Sequence, residues 1–159
     1  TGDIILQRHC GIDDSDDYFT LLEKAHNKCA EVLYDGLKIL QSYEIEPIKQ
    51  KLIHPVGFYC AQRKVGDEVI SWNQTSREVF NFVRALCKPG PMARSLIADK
   101  EVKINKVSVI DQAPVYKSTT GAVIGIENGG FLVKTLDSFI NVTEWESERK
   151  IKIGDRFHS

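Results

Sequence analysis

The sequence is short of the features that mark membrane, secreted or metal-binding proteins. No apolar run approaches the ~20 residues of a transmembrane helix, and no signal-peptide pattern opens the chain. Cysteine is sparse: Cys10, Cys29, Cys60 and Cys87 lie 19, 31 and 27 residues apart, with no C-x-x-C and no histidine pair spaced for zinc. Reduced thiols and a cytoplasmic location are therefore expected, with Cys29 and Cys87 buried as small hydrophobes. The acidic run Asp13–Asp17 lacks the glycine and distal glutamate of a calcium loop, so it reads as a solvated cap on a helix amino terminus. Met92 is the single methionine, and Thr1-Gly2-Asp3 leads straight into apolar residues. A strand at that position needs neighbours, which makes a fragment the expected state of the chain.

At 159 residues the chain suits one domain or one and a half, and it divides around a central helix. Thr75-Ser76-Arg77-Glu78 has the pattern of a capping box. Val79, Phe80, Phe82, Val83 and Leu86 then give one apolar face, and Cys87-Lys88-Pro89-Gly90-Pro91 stops the helix near Cys87. Upstream, Asp3–Cys10 reads as a strand. Tyr18–Leu40 reads as an amphipathic helix whose stripe (Leu22, Ala25, Cys29, Leu33, Leu37, Leu40) must cover a sheet larger than one strand. Residues 46–58, with Pro47, Pro55 and Gly57, read as an extended linker without helical period.

Downstream, short apolar runs at 95–98, 102–110, 121–127, 131–135, 139–142 and 151–153 predict strands, with a tight turn at Asn128-Gly129-Gly130. That pattern suggests a small OB-like β-barrel preceded by the central helix. Residues 1–58 carry 6 basic and 10 acidic side chains (net −4), and residues 59–159 carry 15 and 12 (net +3). The second half is thus only mildly basic, less than a tight nucleic-acid binder needs.

The order of these pieces resembles the later half of a folate-dependent formyltransferase of the methionyl-tRNA formyltransferase type. Four stretches carry the resemblance: Thr1-Gly2-Asp3-Ile4-Ile5; Tyr59 with Ile70-Ser71-Trp72; Phe82-Val83-Arg84-Ala85-Leu86 and its Pro/Gly loop; and Gly154-Asp155-Arg156-Phe157. Two positions depart from it. Ser71 stands where the family has an aspartate, and Pro89-Gly90-Pro91-Met92-Ala93 replaces a Pro-aromatic-Pro-Gly-Ala loop.

The resemblance implies an α+β chain. Residues 1–45 would be the last strand and helix of a doubly wound α/β formyltransferase domain, 46–58 a linker, and 59–159 the OB-like domain. It implies 10-formyltetrahydrofolate as cofactor, held mainly by an amino-terminal catalytic domain that would be this chain's partner. The family's catalytic asparagine and histidine belong to a motif absent here, and its aspartate would directly precede Thr1. No catalytic residue is assigned to this chain, and formyl transfer by it alone is expected at background.

Gly2 and Asp3 would border the active-site loop. Arg63 and Lys64 would contact acceptor phosphate, although a solvated basic turn explains them equally well. Arg84 is expected to pin the Pro/Gly loop. Two amine acceptors fit, a nucleotide-linked amino sugar and initiator methionyl-tRNA; the small basic excess favours the sugar. Homodimerisation stays open. The alternative is a non-catalytic OB-like module binding nucleic acid or protein through Phe131, Phe139 and Trp145, whose spacing suits core packing better.

Overall fold

A computed structural model of the protein describes residues 2–42, 45–127 and 129–158. Thr1, Glu44 and Asn128, to which parts of the sequence reading refer, lie outside the described residues. The chain forms two compact units, Thr1–Asp16 with Thr20–Arg63, and Asp17–Phe19 with Lys64–Ser159.

In the first unit the amphipathic pattern gives helix α1, Tyr18–Ser42. No residue of it is buried: Leu33 is 64% and Leu37 50% exposed, and Cys29 is exposed, against expectation. The expected strand at Asp3–Cys10 is not formed. A strand needs a neighbour to take its N–H and C=O groups, and this segment has one, Ile48, which exchanges two backbone hydrogen bonds with Ile4 (2.8 and 2.9 Å). The linker is not wholly extended either, since Gln50–Ile53 makes a single helical turn, α2.

The acidic run is more than a solvated cap. Asp16 is buried, 2.7 Å from the Lys24 ammonium, and also accepts the Asp13 N–H and the Thr20 hydroxyl. Lys24 first, then the Asp13 amide, lowers its pKa to about 2.

The second unit is built on helix α3, Ser76–Leu86. Its capping box is present: Thr75 Oγ1 accepts the Glu78 N–H at 3.2 Å, and Glu78 accepts the Thr75 N–H at 2.8 Å. Val79 and Val83 are fully buried, each worth ~1.5–3 kcal/mol. Thr75→Ala, which removes half of the box, is expected to cost about 1 kcal/mol in urea-unfolding free energy.

Five strands follow: β1 (Ala93–Ile97), β2 (Lys100–Val109), β3 (Val123–Glu127), β4 (Gly130–Lys134) and β5 (Phe139–Ser147). They form one antiparallel sheet in the order β1-β2-β5-β4-β3. Ala98, expected in a strand, instead turns with Asp99 at positive φ (46° and 62°), the geometry of a two-residue hairpin. In β2 the strict alternation breaks at a bulge around Asn105 and Lys106. β5 runs five residues beyond the expected Val142, through the exposed Thr143, Glu144 and Glu146, with the half-buried Trp145 between them packing against the core.

The barrel is not closed. The sixth expected strand, 151–153, is instead the approach to a turn, with the Asp155 N–H on the Lys152 carbonyl (3.1 Å) and Gly154 at φ 90°. The following residues nevertheless reach both sheet edges. Phe157 N–H bonds Gly121 O ahead of β3 (2.8 Å), and His158 N–H bonds Leu96 O of β1 (2.9 Å). Trp72 is anchored there as well, donating to Ser95 Oγ (3.0 Å) with its ring 5.1 Å from that of Phe157. Phe131 packs edge-on against Trp145 (4.8 Å) and stacks on Phe157 (5.8 Å), so the two candidate stacking residues Phe131 and Trp145 take part in the core.

Candidate functional site

The four residues assigned to substrate from sequence belong to both units. Gly2 and Asp3 are exposed in the first unit, Arg63 is exposed at its end, and Lys64 is exposed at the start of the second unit. Among the described residues no hydrogen bond or ion pair joins any two of them. Asp3 lies at the rim of an apolar groove of about 390 Å³ between residues 4–6 and the Val32–Leu40 stretch of α1. That groove suits the side chains of a packed layer better than a polar substrate. Lys64 opens a turn closed by carboxylates: its N–H donates to Asp67 Oδ2 (2.7 Å), and the Gly66 N–H donates to Glu68 Oε2 (3.1 Å).

Arg84, expected to pin the Pro/Gly loop from the side away from Phe80, lies on the Phe80 side of its helix. Residues four apart share a helix face, so its guanidinium lies over the Phe80 ring (5.1 Å), with Nε donating to Asn81 Oδ1 (3.0 Å). The bulged Asn105 holds the loop. Its Oδ1 accepts the Lys88 N–H and its Nδ2 donates to Glu144, both at 2.8 Å.

Lys88, Arg94, Lys100, Lys103 and Lys106, on and beside β1 and β2, each sit beside acid. Lys88 pairs with Glu146 (2.8 Å), Arg94 with Glu101 (3.1 Å) and Glu68 (3.5 Å), Lys100 with Glu148 (3.7 Å) and Lys106 with Glu144 (3.9 Å). Cations paired in this way offer phosphate little unopposed charge. Nor is catalytic machinery evident among the described residues. No group of three or more His, Cys, Asp or Glu is placed to hold a metal ion. His9, His26, His54 and His158 are exposed.

Sequence reasoning missed a buried polar cluster at the β4–β5 turn. Lys134 is fully buried and donates to the carbonyls of Tyr116 (2.7 Å), Thr135 (2.8 Å) and Ser138 (3.0 Å). Burial pushes its pKa down, opposed by the Asp137 carboxylate. Asp137 Oδ1 accepts the Ser76 and Ser138 N–H groups (both 2.8 Å) and the Thr135 hydroxyl (3.1 Å). Burial would raise that carboxyl, but these donors hold it below its ordinary value. The cluster ties the start of α3 and residues 114–116 to the sheet. The one available signal was a lysine ending the otherwise apolar run Phe131-Leu132-Val133, since every position of β4 is buried.

Residues 63–157, more than half of the chain, match the sequence family described as formyl transferase, C-terminal domain. The chain belongs to this family. Among its relatives, the methionyl-tRNA formyltransferase of Mycoplasma mycoides is 33% identical over 154 residues, 94% of this chain and 46% of that protein. The Fusobacterium nucleatum methionyl-tRNA formyltransferase is 33% identical over 153 residues, 94% and 47% respectively. The chain thus spans about half the length of the curated relatives it matches.

Among solved structures, a variant of HypX from Aquifex aeolicus superposes with a TM-score of 0.62 at 17% identity, over 94% of this chain and 26% of HypX. HypX in complex with tetrahydrofolic acid gives 0.55, also at 17% identity, over 94% of this chain and 25% of HypX. These likenesses establish the fold. The fold they share is the open sheet with its leading helix. No helix among the described residues is long and apolar enough to cross a membrane.

Proposed function

We propose that this chain is part of a cytoplasmic formyltransferase that moves the formyl group of 10-formyltetrahydrofolate to the amino group of methionyl-tRNA. The supporting observation is its similarity, at about one-third identity over 94% of its length, to methionyl-tRNA formyltransferases. This reverses the preference for a nucleotide-linked amino sugar drawn from charge alone. In this reading residues 1–45 complete an α/β catalytic domain, 46–58 link it, and 59–159 form the acceptor-side domain. The unburied apolar stripe of α1 supports the first assignment, because the α1 side of the groove at Asp3 fits against a sheet.

The chemistry lies outside these residues. Attack of the amine on the formyl carbon develops an oxyanion that needs donors, and the amine must lose a proton to a base. Neither set is assigned to this chain. Gly2 and Asp3 border the reaction site, and Arg63 and Lys64 contact acceptor phosphate.

Formyl transfer assayed with this chain alone is expected at background, and with an intact enzyme containing it at measurable turnover on methionyl-tRNA. Turnover by the chain alone would overturn the placement of the catalytic set. In the intact enzyme, replacing Arg63 and Lys64 together with alanine is expected to raise KM for methionyl-tRNA about tenfold while leaving kcat within about twofold. An unchanged KM would make the pair a solvated turn.

A further inference from the structure

The two edges of the sheet are not closed to the same extent. On β1, the Arg94 N–H donates to Glu68 O and its carbonyl accepts the Ile70 N–H (both 2.8 Å), while Leu96 exchanges a pair of bonds with His158 (3.2 and 2.9 Å). On β3 only the start is covered: the Val123 N–H donates to Asp155 O (2.8 Å), and its carbonyl accepts the Gly154 N–H (2.9 Å). Beyond Val123 the outer edge of β3 has no backbone partner among the described residues. Ile126, on that stretch, is 51% exposed. A free strand edge takes an extended polypeptide, whose N–H and C=O groups match it. A helix has already paired its own, and a nucleic acid has none.

Beside this edge lies a cavity of about 190 Å³ to which Ile126 also contributes. The buried Phe131 and Ile151 and the half-buried Trp145 line it. Its volume equals about six waters at ~30 Å³ each, space for one aromatic side chain. Arg149 and Lys150 complete the lining, with no acidic residue among the described ones. The segment 149–156 holds four basic residues against one acid, Asp155. Arg149 pairs with Asp155 at 2.7 Å, whereas Lys150, Lys152 and Arg156 have no charge partner among the described residues.

We propose that the outer edge of β3 and the cavity beside Trp145 form one docking site for an extended, acidic segment of another protein. The segment adds as a sixth strand alongside Ile126 and places one aromatic side chain in the cavity. Its carboxylates lie against Lys150, and Lys152 and Arg156 add to the attraction. Side chains of a strand alternate between faces, so a single buried aromatic ring fixes the register. None of this depends on which amine the enzyme formylates.

The test is a titration of this chain, labelled with 15N, with the acetylated and amidated peptide Glu-Glu-Val-Phe-Val-Glu-Glu. The Trp145 indole signal, assigned through Trp145→Phe, is expected to shift saturably while that of the buried Trp72 stays fixed. Hydrogen exchange of an amide within residues 125–127 is expected to slow at least about tenfold in the complex. Lys150→Glu, or alanine in place of the peptide's phenylalanine, is expected to weaken binding at least about tenfold. Methylating alternate peptide nitrogens, in each of the two possible registers, is expected to abolish binding in one of them.

An unmoved Trp145 signal overturns the proposal, as does equal affinity in Lys150→Glu with an unchanged Trp72 signal reporting intact folding. Undiminished binding of both methylated peptides would rule out strand addition and overturn it too. Saturation by single-stranded hexa-adenylate but not by the peptide overturns it in favour of a nucleic-acid ligand.

Discussion

Lys134→Ala is expected to destabilise the sheet-bearing unit by about 3–4 kcal/mol, measured by urea unfolding. The substitution removes the donor shared by three carbonyls and leaves a void where the side chain was fully buried. Lys134→Met separates the two effects. It refills most of the volume without restoring a donor, so about 2 kcal/mol of loss should remain. Full stability in Lys134→Met would mean that the carbonyl bonds do no more than offset the desolvation of the ammonium.

The pH dependence has a definite sign. Burial lowers the Lys134 pKa below its ordinary 10.5 in the folded state. Between that lowered value and 10.5 the unfolded chain binds more protons, so this residue's contribution to stability rises with pH across the window. In Lys134→Met that rise is absent, and the difference between the two stability profiles isolates it.

Gly121→Ala is expected to cost about 3 kcal/mol, while Gly129→Ala costs about 1. Both glycines have φ near 80°, a left-handed conformation that L side chains rarely adopt. They differ in surroundings. A Cβ on Gly121 would lie 2.6 Å from the Phe157 carbonyl oxygen, whereas one on Gly129 meets nothing within 4 Å. The comparison cancels the backbone strain and leaves the collision, which falls where Phe157 N–H bonds the Gly121 carbonyl. Urea unfolding followed at Trp72, whose ring packs on Phe157, reads the effect. Equal losses at the two glycines would show that the Phe157 segment yields freely.

How much of this was legible in the chain follows from the range of each interaction. α1 and α3 were readable because their signals are local, a 3.6-residue period in one and the Thr75–Glu78 box in the other. β2 and β4 showed as apolar runs between turns. Asp3–Cys10 and 151–153 were misread for the same reason: apolar residues establish a strand only when a neighbour is present to pair with it. β5 was cut short because alternation with glutamates looks like a turn until one face is known to be wet. Lys134 and Asp137 were invisible because a lysine in a sequence reads as solvent-facing. Their bonds reach residues 18 and 61 positions away. The family assignment was legible from motif order. The acceptor was not, because net charge averages over a half in which some cations are paired with acids and others are not.

The joining of both sheet edges by residues 154–158 has a consequence for biosynthesis. The outer strands β1 and β3 are complete long before the segment that caps them is made, since translation runs from amino to carboxyl end. A growing chain therefore presents the strand-edge groups of Leu96, Gly121 and Val123 without partners, open to pairing with other nascent chains, until this last segment has been made. Shielding by the ribosome or a holding chaperone matters most in that interval. Variants that weaken the final segment should show their defect as lost soluble yield before they show it as lost function.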